Sequence, residues 1–384
     1  MAVFFAFIFF GCLLLVVYVY AGYPLLITCI GFFKHQKIRT SNTFDPFVTI
    51  LIPAYNEEAG IRETVANKLA LAYPPDKMEI LVISDGSQDR TDQIVSGFKD
   101  KRVKLLRQEP RAGKTSALNM AVTKARGDIL VFSDANSIYA PDALRMLVRN
   151  FADSGVGYVT GKMIYTNLDG STIGDGCSAY MKYENWLREM ETRTGSVIGV
   201  DGGIDAVRRD LYSPMNPDQL PDFVLPLHVA DKGYRVVYEP GAILKEPALN
   251  TVEDEHKMRV RVTLRALWAL YDMRHLLSFK KDGLFAFQLW SHKVLRYLCF
   301  IFLVGAYGFN LLLVTTHFIF GLLFFLQTAA YACALISPLL EKRGLQTGFL
   351  YLFYYFTLIN YSAAVGFIKF LRGQKQVFWT PRKG

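Results

Sequence analysis

The sequence predicts an α/β domain built on a mostly parallel sheet and flanked by α-helical membrane segments. Two observations predict the domain. Short β-rich apolar runs alternate with longer helical stretches between positions 47 and 151, the pattern of βαβ units. Three of those runs are each followed at once by a cluster of Asp, Asn, Glu or Tyr. A third observation predicts the membrane segments. Hydrophobic residues make up 52% of the 384-residue chain and charged residues only 20%, below the roughly 25% of an ordinary soluble domain, and long blocks carry no charge at all.

The first block is residues 1–33, without one charged side chain. It exceeds the roughly 20 residues that a span needs. It is too long for a signal-peptide core and lacks a basic start, so an N-terminal transmembrane helix is expected. Lys34, Lys37 and Arg39 follow it and assign the next segment to the cytoplasm. That bias toward basic flanks accounts for the net charge of +9, and no nucleic-acid partner is expected. The five cysteines form no CxxC pair, which argues against a disulfide framework or a zinc knuckle.

Residues 41–254 form the expected catalytic domain, and 255–293 the expected amphipathic interface helices. Three hydrophobic membrane segments are expected within 294–370. Tyr297 to Leu340 contains no Asp, Glu, Lys or Arg and fits two spans with a turn at Thr315, Thr316 and His317; Gly344 to Ile368 is the third run. Residues 371–384 are a basic aromatic tail. Three crossings would put that tail outside, whereas Lys369, Arg372, Lys375, Arg382 and Lys383 belong inside. Either one segment is re-entrant or interfacial, or the charge rule fails here. The expected location is the plasma (inner) membrane, multi-pass, with a cytoplasmic domain and the lipid bilayer as partner.

Within the domain, Phe47 to Pro53, Glu79 to Ser84 and Asp128 to Ser133 read as strands. Gly60 to Ala72, Asp89 to Phe98, Lys114 to Lys124 and Pro141 to Phe151 read as helices. Ligands of such sheets lie beyond the carboxyl ends of the strands. The clusters there are Pro53-Ala54-Tyr55-Asn56-Glu57-Glu58, then Asp85-Gly86-Ser87-Gln88-Asp89-Arg90-Thr91, then Asp134-Ala135-Asn136. Any one of them is explained by helix caps and turns. Three at one edge point to a nucleotide-binding crevice.

Together with Gly113-Lys114, these motifs in this order resemble glycosyltransferase family 2, over about residues 47 to 270. The resemblance implies the GT-A fold and a UDP-sugar donor of UDP-GlcNAc or UDP-Glc type. With its flanking spans the chain is similar to the hyaluronan, chitin and cellulose synthase group. The resemblance assigns Pro53, Tyr55, Glu57, Asp85, Lys114, Asp134 and Arg259 to the nucleotide-sugar. It assigns Gly202, Gly203 and Ile204 to the acceptor side, and Asp222, in Pro221-Asp222-Phe223-Val224-Leu225, to proton abstraction as general base. Asp134 and Asn136 correspond to its metal motif and imply Mg²⁺ or Mn²⁺; Asn136 stands where Asp is commoner, which weakens the affinity expected. The implied activity is inverting transfer to a growing β-linked polysaccharide, an exopolysaccharide. The alternative is a single addition to a polyprenyl-linked acceptor.

Several features are open to other readings. Gly113-Lys114-Thr115 suggests a P-loop, but Walker A requires Gly where Gln108 stands. Asp222 precedes an apolar stretch and reads equally as a helix N-cap. Lys257, Arg261 and Arg265 recur four apart on one helical face, while Arg259 matches the Arg of the Gln-x-x-Arg-Trp element of such synthases. Val260 replaces its Trp, which puts processivity in doubt. Gln376 to Gly384 resembles, weakly, the gating segment of cellulose synthases. Tyr307, Asn310, Gln327, Tyr331, Tyr351, Tyr354, Tyr355, Asn360 and Tyr361 are candidates to line a polymer path. A transporter with a nucleotide-sensing domain is the distant alternative; the spans lack the buried acidic residues of an ion path.

Overall fold

The computed structural model describes residues 1–166, 172–246, 251–281, 283–341, 343, 345 and 349–378. Strands β1 (Val48–Ala54) and β2 (Met78–Asp85) are buried along their whole length. Both are near-continuous apolar runs, as strands covered on two faces must be. They pair in parallel, with β3 (Val103–Gln108) parallel beyond β2 and β4 (Ile129–Ser133) parallel beyond β1. Strands β5 (Ile138–Tyr139), β6 (Val156–Tyr165), β7 (Ile204–Arg208) and β8 (Arg235–Glu246) complete one eight-stranded sheet. Its order is β3-β2-β1-β4-β7-β6-β8-β5.

β7 runs antiparallel to β4, with Ile204 opposite Ser133. The turn that enters β7 therefore lies beside the loop that leaves β4, and this reversal builds the site. Helices Ile61–Leu69, Thr91–Ser96 and Ala143–Val148 cover one face; Lys114–Val122 and Pro221–Asp231 cover the other. Each of the first three is shorter than its sequence pattern. In the second, the Asp89 carboxylate takes both the Thr91 N–H (2.9 Å) and the Thr91 hydroxyl (2.5 Å), which starts the helix two residues late.

The apolar blocks are helical. Ala2–Val17 and Tyr23–Phe33 are joined by a π turn at Tyr18–Gly22, and Gly283–Leu289 leads into a second π turn at Trp290–Val294. The Tyr18 and Ser291 hydroxyls bond at 2.7 Å and tie the two π turns together. Three helical runs, Ala2–Phe33, Phe318–Glu341 and Leu350–Leu371, are long and apolar enough to cross a membrane, four if the 57° bent pair Gly283–Tyr297 and Cys299–Leu313 counts as one span. Gly305 faces Cys12, where the absence of a side chain lets helix Cys299–Leu313 close on Ala2–Val17.

Helix Val252–Asp272 is capped by Thr251, whose hydroxyl accepts the Asp254 N–H at 3.1 Å. Helix Leu350–Leu371 lies along it in the same direction: Tyr355 meets Glu255 (2.8 Å), Ser362 meets His256 (2.8 Å), and Phe370 packs on Trp268 (4.8 Å between centroids). An apolar helix is thus laid along an amphipathic one. The chain then returns to the α/β domain. Trp268 Nε1 donates to the Gln374 carbonyl at 2.8 Å, and Lys375 pairs with Asp218 at 2.6 Å. Residues 379–384 of the aromatic tail lie outside the described residues.

Candidate active site

The loops after β1 and β2 are sewn together. Asn56, the described non-glycine residue with a positive φ (53°), donates its N–H to Ser87 Oγ (3.1 Å) and accepts the Gln88 N–H on Oδ1 (2.8 Å). The Glu57 N–H donates to Thr91 Oγ1 at 2.9 Å. Asn tolerates that left-handed backbone better than most residues. This fixes Pro53 and Glu57 on the wall of a cleft of about 330 Å³.

Asp85 lies beneath this wall with no solvent exposure. It accepts the N–H groups of Ala112 (2.8 Å) and Gly113 (3.0 Å) and the Gln108 amide (2.5 Å). It therefore holds the turn that launches helix Lys114–Val122. Gly113, at φ 95°, completes that turn. Arg111 projects from it, its guanidinium 3.4 Å from the Tyr55 ring centroid and 5.1 Å from that of Phe378. Arg111 thus covers one face of the Tyr55 ring.

Lys114, the first residue of its helix, donates to Asp134 Oδ1 at 2.5 Å. Burial opposes its charge, but Asp134 and Asp222 outweigh burial and hold its pKa above the usual lysine value. Asp134 and Asn136 line the same cleft. Among the described residues there is no group of three His, Cys, Asp or Glu that would hold a metal alone. One carboxylate and one amide oxygen fit a hard cation that takes its remaining ligands from phosphate and water. The donor set suits a cation that arrives with its diphosphate.

Asp222 is in the first turn of helix Pro221–Asp231, whose N-cap position is Leu220, so Asp222 is not the cap. It lines the cleft. Gly202, at φ 82°, lies directly under its carboxylate, and any Cβ there would overlap it. The Gly202 N–H donates to Asp205 Oδ2 (3.0 Å). Burial, with Asp201 and Asp222 nearby, raises the Asp205 pKa to about 7. The other two acceptor-side candidates are not at the cleft surface. Ile204 is buried in the sheet core and Gly203 packs against Leu244, because β7 turns inward at once.

The far wall is helix Val252–Asp272. Arg259, the residue matched by resemblance, lines the cleft but is bonded to Glu255 (2.7 Å) and to the Tyr355 hydroxyl (2.6 Å). Arg261 and Arg265 line it too. Burial lowers the Arg265 pKa to about 10, and its guanidinium donates to the Asp218 carbonyl (3.1 Å) and the Gln219 carbonyl just ahead of Asp222. The four-residue spacing of Arg261 and Arg265 is the signal for this wall. Sequence reasoning missed the cleft floor: Arg188 pairs with Asp201 at 2.6 Å, both buried, and Arg296 pairs with Glu184 at 2.5 Å. Helix Thr172–Thr194, which carries Glu184 and Arg188, follows no motif.

Residues 49–213 match the model of glycosyl transferase family 2. The beta-monoglucosyldiacylglycerol synthase of Trichormus variabilis is 32% identical over 168 residues, 43% of this chain and 36% of that protein. The poly-beta-1,6-N-acetyl-D-glucosamine synthase of Staphylococcus aureus is 29% identical over 223 residues, 56% of this chain and 53% of that protein. The chain thus spans about half the length, or less, of these curated relatives. Among solved structures, the mannosyltransferase PcManGT of Pyrobaculum calidifontis, in complex with GDP-Man and Mn²⁺, has the same fold. The TM-score is 0.75, over 96% of this chain and 99% of that one, at 23% identity.

Proposed function

We propose, from the premise that this chain carries a glycosyl transferase family 2 domain on the GT-A fold and is a glycosyltransferase, that it moves a hexosyl group from a UDP-sugar to an acceptor hydroxyl at a membrane face. The observation that carries the proposal is the convergence of Lys114, Asp134 and Asp222 at the reversal between β4 and β7. The acceptor oxygen bonds to the anomeric carbon as the bond from that carbon to the diphosphate oxygen breaks, and the electron pair leaves with UDP. Asp222 takes the hydroxyl proton. Lys114, Arg261 and Arg265 supply positive charge, fixed in advance, where negative charge develops; such preorganisation is commonly the chief source of rate enhancement. Attack opposite the leaving group inverts configuration, so an α-linked donor gives a β-linked product. Asp134 and Asn136 would hold Mg²⁺ or Mn²⁺, and when bound that ion neutralises diphosphate charge.

Two acceptors are in question. A growing polysaccharide is supported by the likeness to the N-acetylglucosamine polymer synthase. Against it, several of the polar residues expected to line a polymer path are bonded within or between the apolar helices or buried. Tyr307 bonds Thr328 on the next helix (3.3 Å), Gln327 bonds Tyr331 one turn along its own helix (3.1 Å), and Asn310 is buried between helices. Asn360 alone of these lies on the cleft wall, donating to the Tyr20 hydroxyl at 3.3 Å. Single addition to a lipid-linked acceptor is the reading favoured.

Release of nucleoside diphosphate from UDP-GlcNAc, UDP-Glc and GDP-Man, with and without EDTA, tests the donor and the metal together. One UDP-sugar is expected to dominate, EDTA to stop release and Mn²⁺ or Mg²⁺ to restore it. Asn136→Asp should lower the metal concentration for half-maximal rate. Preference for GDP-Man, or full rate in EDTA, defeats the corresponding half of the proposal.

A further inference from the structure

A second cavity opens beside the cleft, a groove of about 730 Å³ between the apolar helices. Its walls are Phe, Leu, Ala and Tyr side chains from Ala2–Val17, Cys299–Leu313, Phe318–Glu341 and Leu350–Leu371. Among the described residues that line it, Arg296 is the charged one. The groove and the catalytic cleft share four lining residues: Tyr20, Tyr180, Arg296 and Ile359. The two spaces therefore meet at a throat, and the throat holds a cation.

That cation is built in. Arg296 pairs with Glu184 through Nη1, and the rings of Tyr180, Tyr183 and Tyr20 surround its guanidinium at 5.2, 5.5 and 5.7 Å. A guanidinium has five N–H donors, enough to serve one carboxylate and a second anion together. Both π turns aim at this point. Tyr20 sits on the first, and Arg296 follows the second by two residues. π turns of this kind concentrate at functional sites because they re-aim side chains.

We infer that the groove holds the chain of a single-chain lipid phosphate that carries the acceptor sugar, with the phosphate at Arg296 and the sugar hydroxyl in the cleft. The inference rests on the transferase reading and names its acceptor class. An apolar groove accounts for a long chain, and a cation at the throat accounts for an anion where chain and head meet. Continuity with the cleft accounts for a head that reaches Asp222. A neutral diacylglycerol would bring Arg296 no second anion beside Glu184, and a soluble oligosaccharide would leave the groove unfilled.

The test measures binding to the full chain in detergent micelles by native mass spectrometry. The probes are phytanyl phosphate, phytanol, dioleoylglycerol and dioleoylphosphatidylglycerol. Phytanyl phosphate is expected to bind one to one and at least tenfold more tightly than the other three. Ala330→Trp and Thr357→Trp, which fill the groove from two different helices, should each weaken it at least tenfold. Arg296→Lys should reduce the preference for phytanyl phosphate over phytanol. Equal binding of phytanol removes the phosphate from the proposal. Equal binding of either diacyl lipid shows a groove filled by ordinary bilayer lipid and overturns it, as does unchanged binding in both Trp variants. Release of UDP by the wild type, read in the same preparation, reports on the donor chemistry separately. If that release fails while phytanyl phosphate still binds, the UDP-sugar reading falls and the lipid site stands.

Discussion

Asp222 and Asp85 are both carboxylates at the ends of apolar segments, yet the structure gives them different work. Asp222 faces the cleft over a glycine, whereas Asp85 faces three donors from the end of β3 and the loop beyond it. Asp222→Asn keeps shape but cannot take a proton, so kcat should fall about 100-fold or more with UDP affinity nearly unchanged. Asp85→Asn replaces an acceptor of backbone N–H groups with an amide that satisfies fewer of them. It should loosen the Arg111–Lys114 turn and weaken UDP binding, with a smaller effect on kcat at saturation. Steady-state kinetics and UDP titration of both variants check the division; equal loss of UDP binding in the two would contradict it. The residue types at these positions are legible in the sequence because each follows its apolar segment directly or opens one. Their orientation is not. Asp85 is turned inward by a loop 27 residues further on, and Ile204 by the direction of a strand that pairs across the sheet.

Elements that depend on local pattern are legible in the sequence with small errors at their ends: β1, β2, β4 and the apolar helices. Those that depend on distant pairing are not. β6, β7 and β8 are joined through partners roughly 40 to 80 positions away, and no short motif marks them. Arg259 illustrates the same limit: its motif position matches, but Tyr355, from a helix about 100 residues later, engages it together with Glu255. The segment Gln374–Phe378 belongs to this scale also. It packs on Trp268, Asp218 and Arg111, and a Cβ on Gly113, next to Lys114 of the cleft, would press on Val377. Truncation after Gly373 removes these contacts and leaves the Leu350–Leu371 helix whole. Cation–π and charged contacts of about 0.5–2 kcal/mol imply a donor KM raised about 2- to 30-fold, with kcat changed less. Kinetics at varied UDP-sugar concentration measure it.

For the whole molecule, Asp205 ties stability to pH. Its pKa is raised from the ordinary Asp value to about 7 in the fold, so the folded state keeps a proton that the unfolded chain has lost. Its contribution is present in full below the ordinary value and is lost as pH rises through 7. Tm should therefore fall between about pH 4 and 7 on its account, and Asp205→Asn should flatten that fall; an identical slope in the variant would refute it. The two π turns have a consequence of another kind. Each contains one residue more than an α-helix would place there, and that surplus sets the phase of everything beyond it. Deleting Ala21 would restore α geometry, turn helix Ala2–Val17 by about 100° and draw it in by about 1.5 Å. A Cβ at Gly305 would lie 4.0 Å from Cys12 Cβ, within disulfide reach, so Gly305→Cys should crosslink to Cys12 under mild oxidation, and the Ala21 deletion should abolish the crosslink. The surplus residue then acts as a vernier, fixing which side of an otherwise uniform apolar cylinder meets its neighbour.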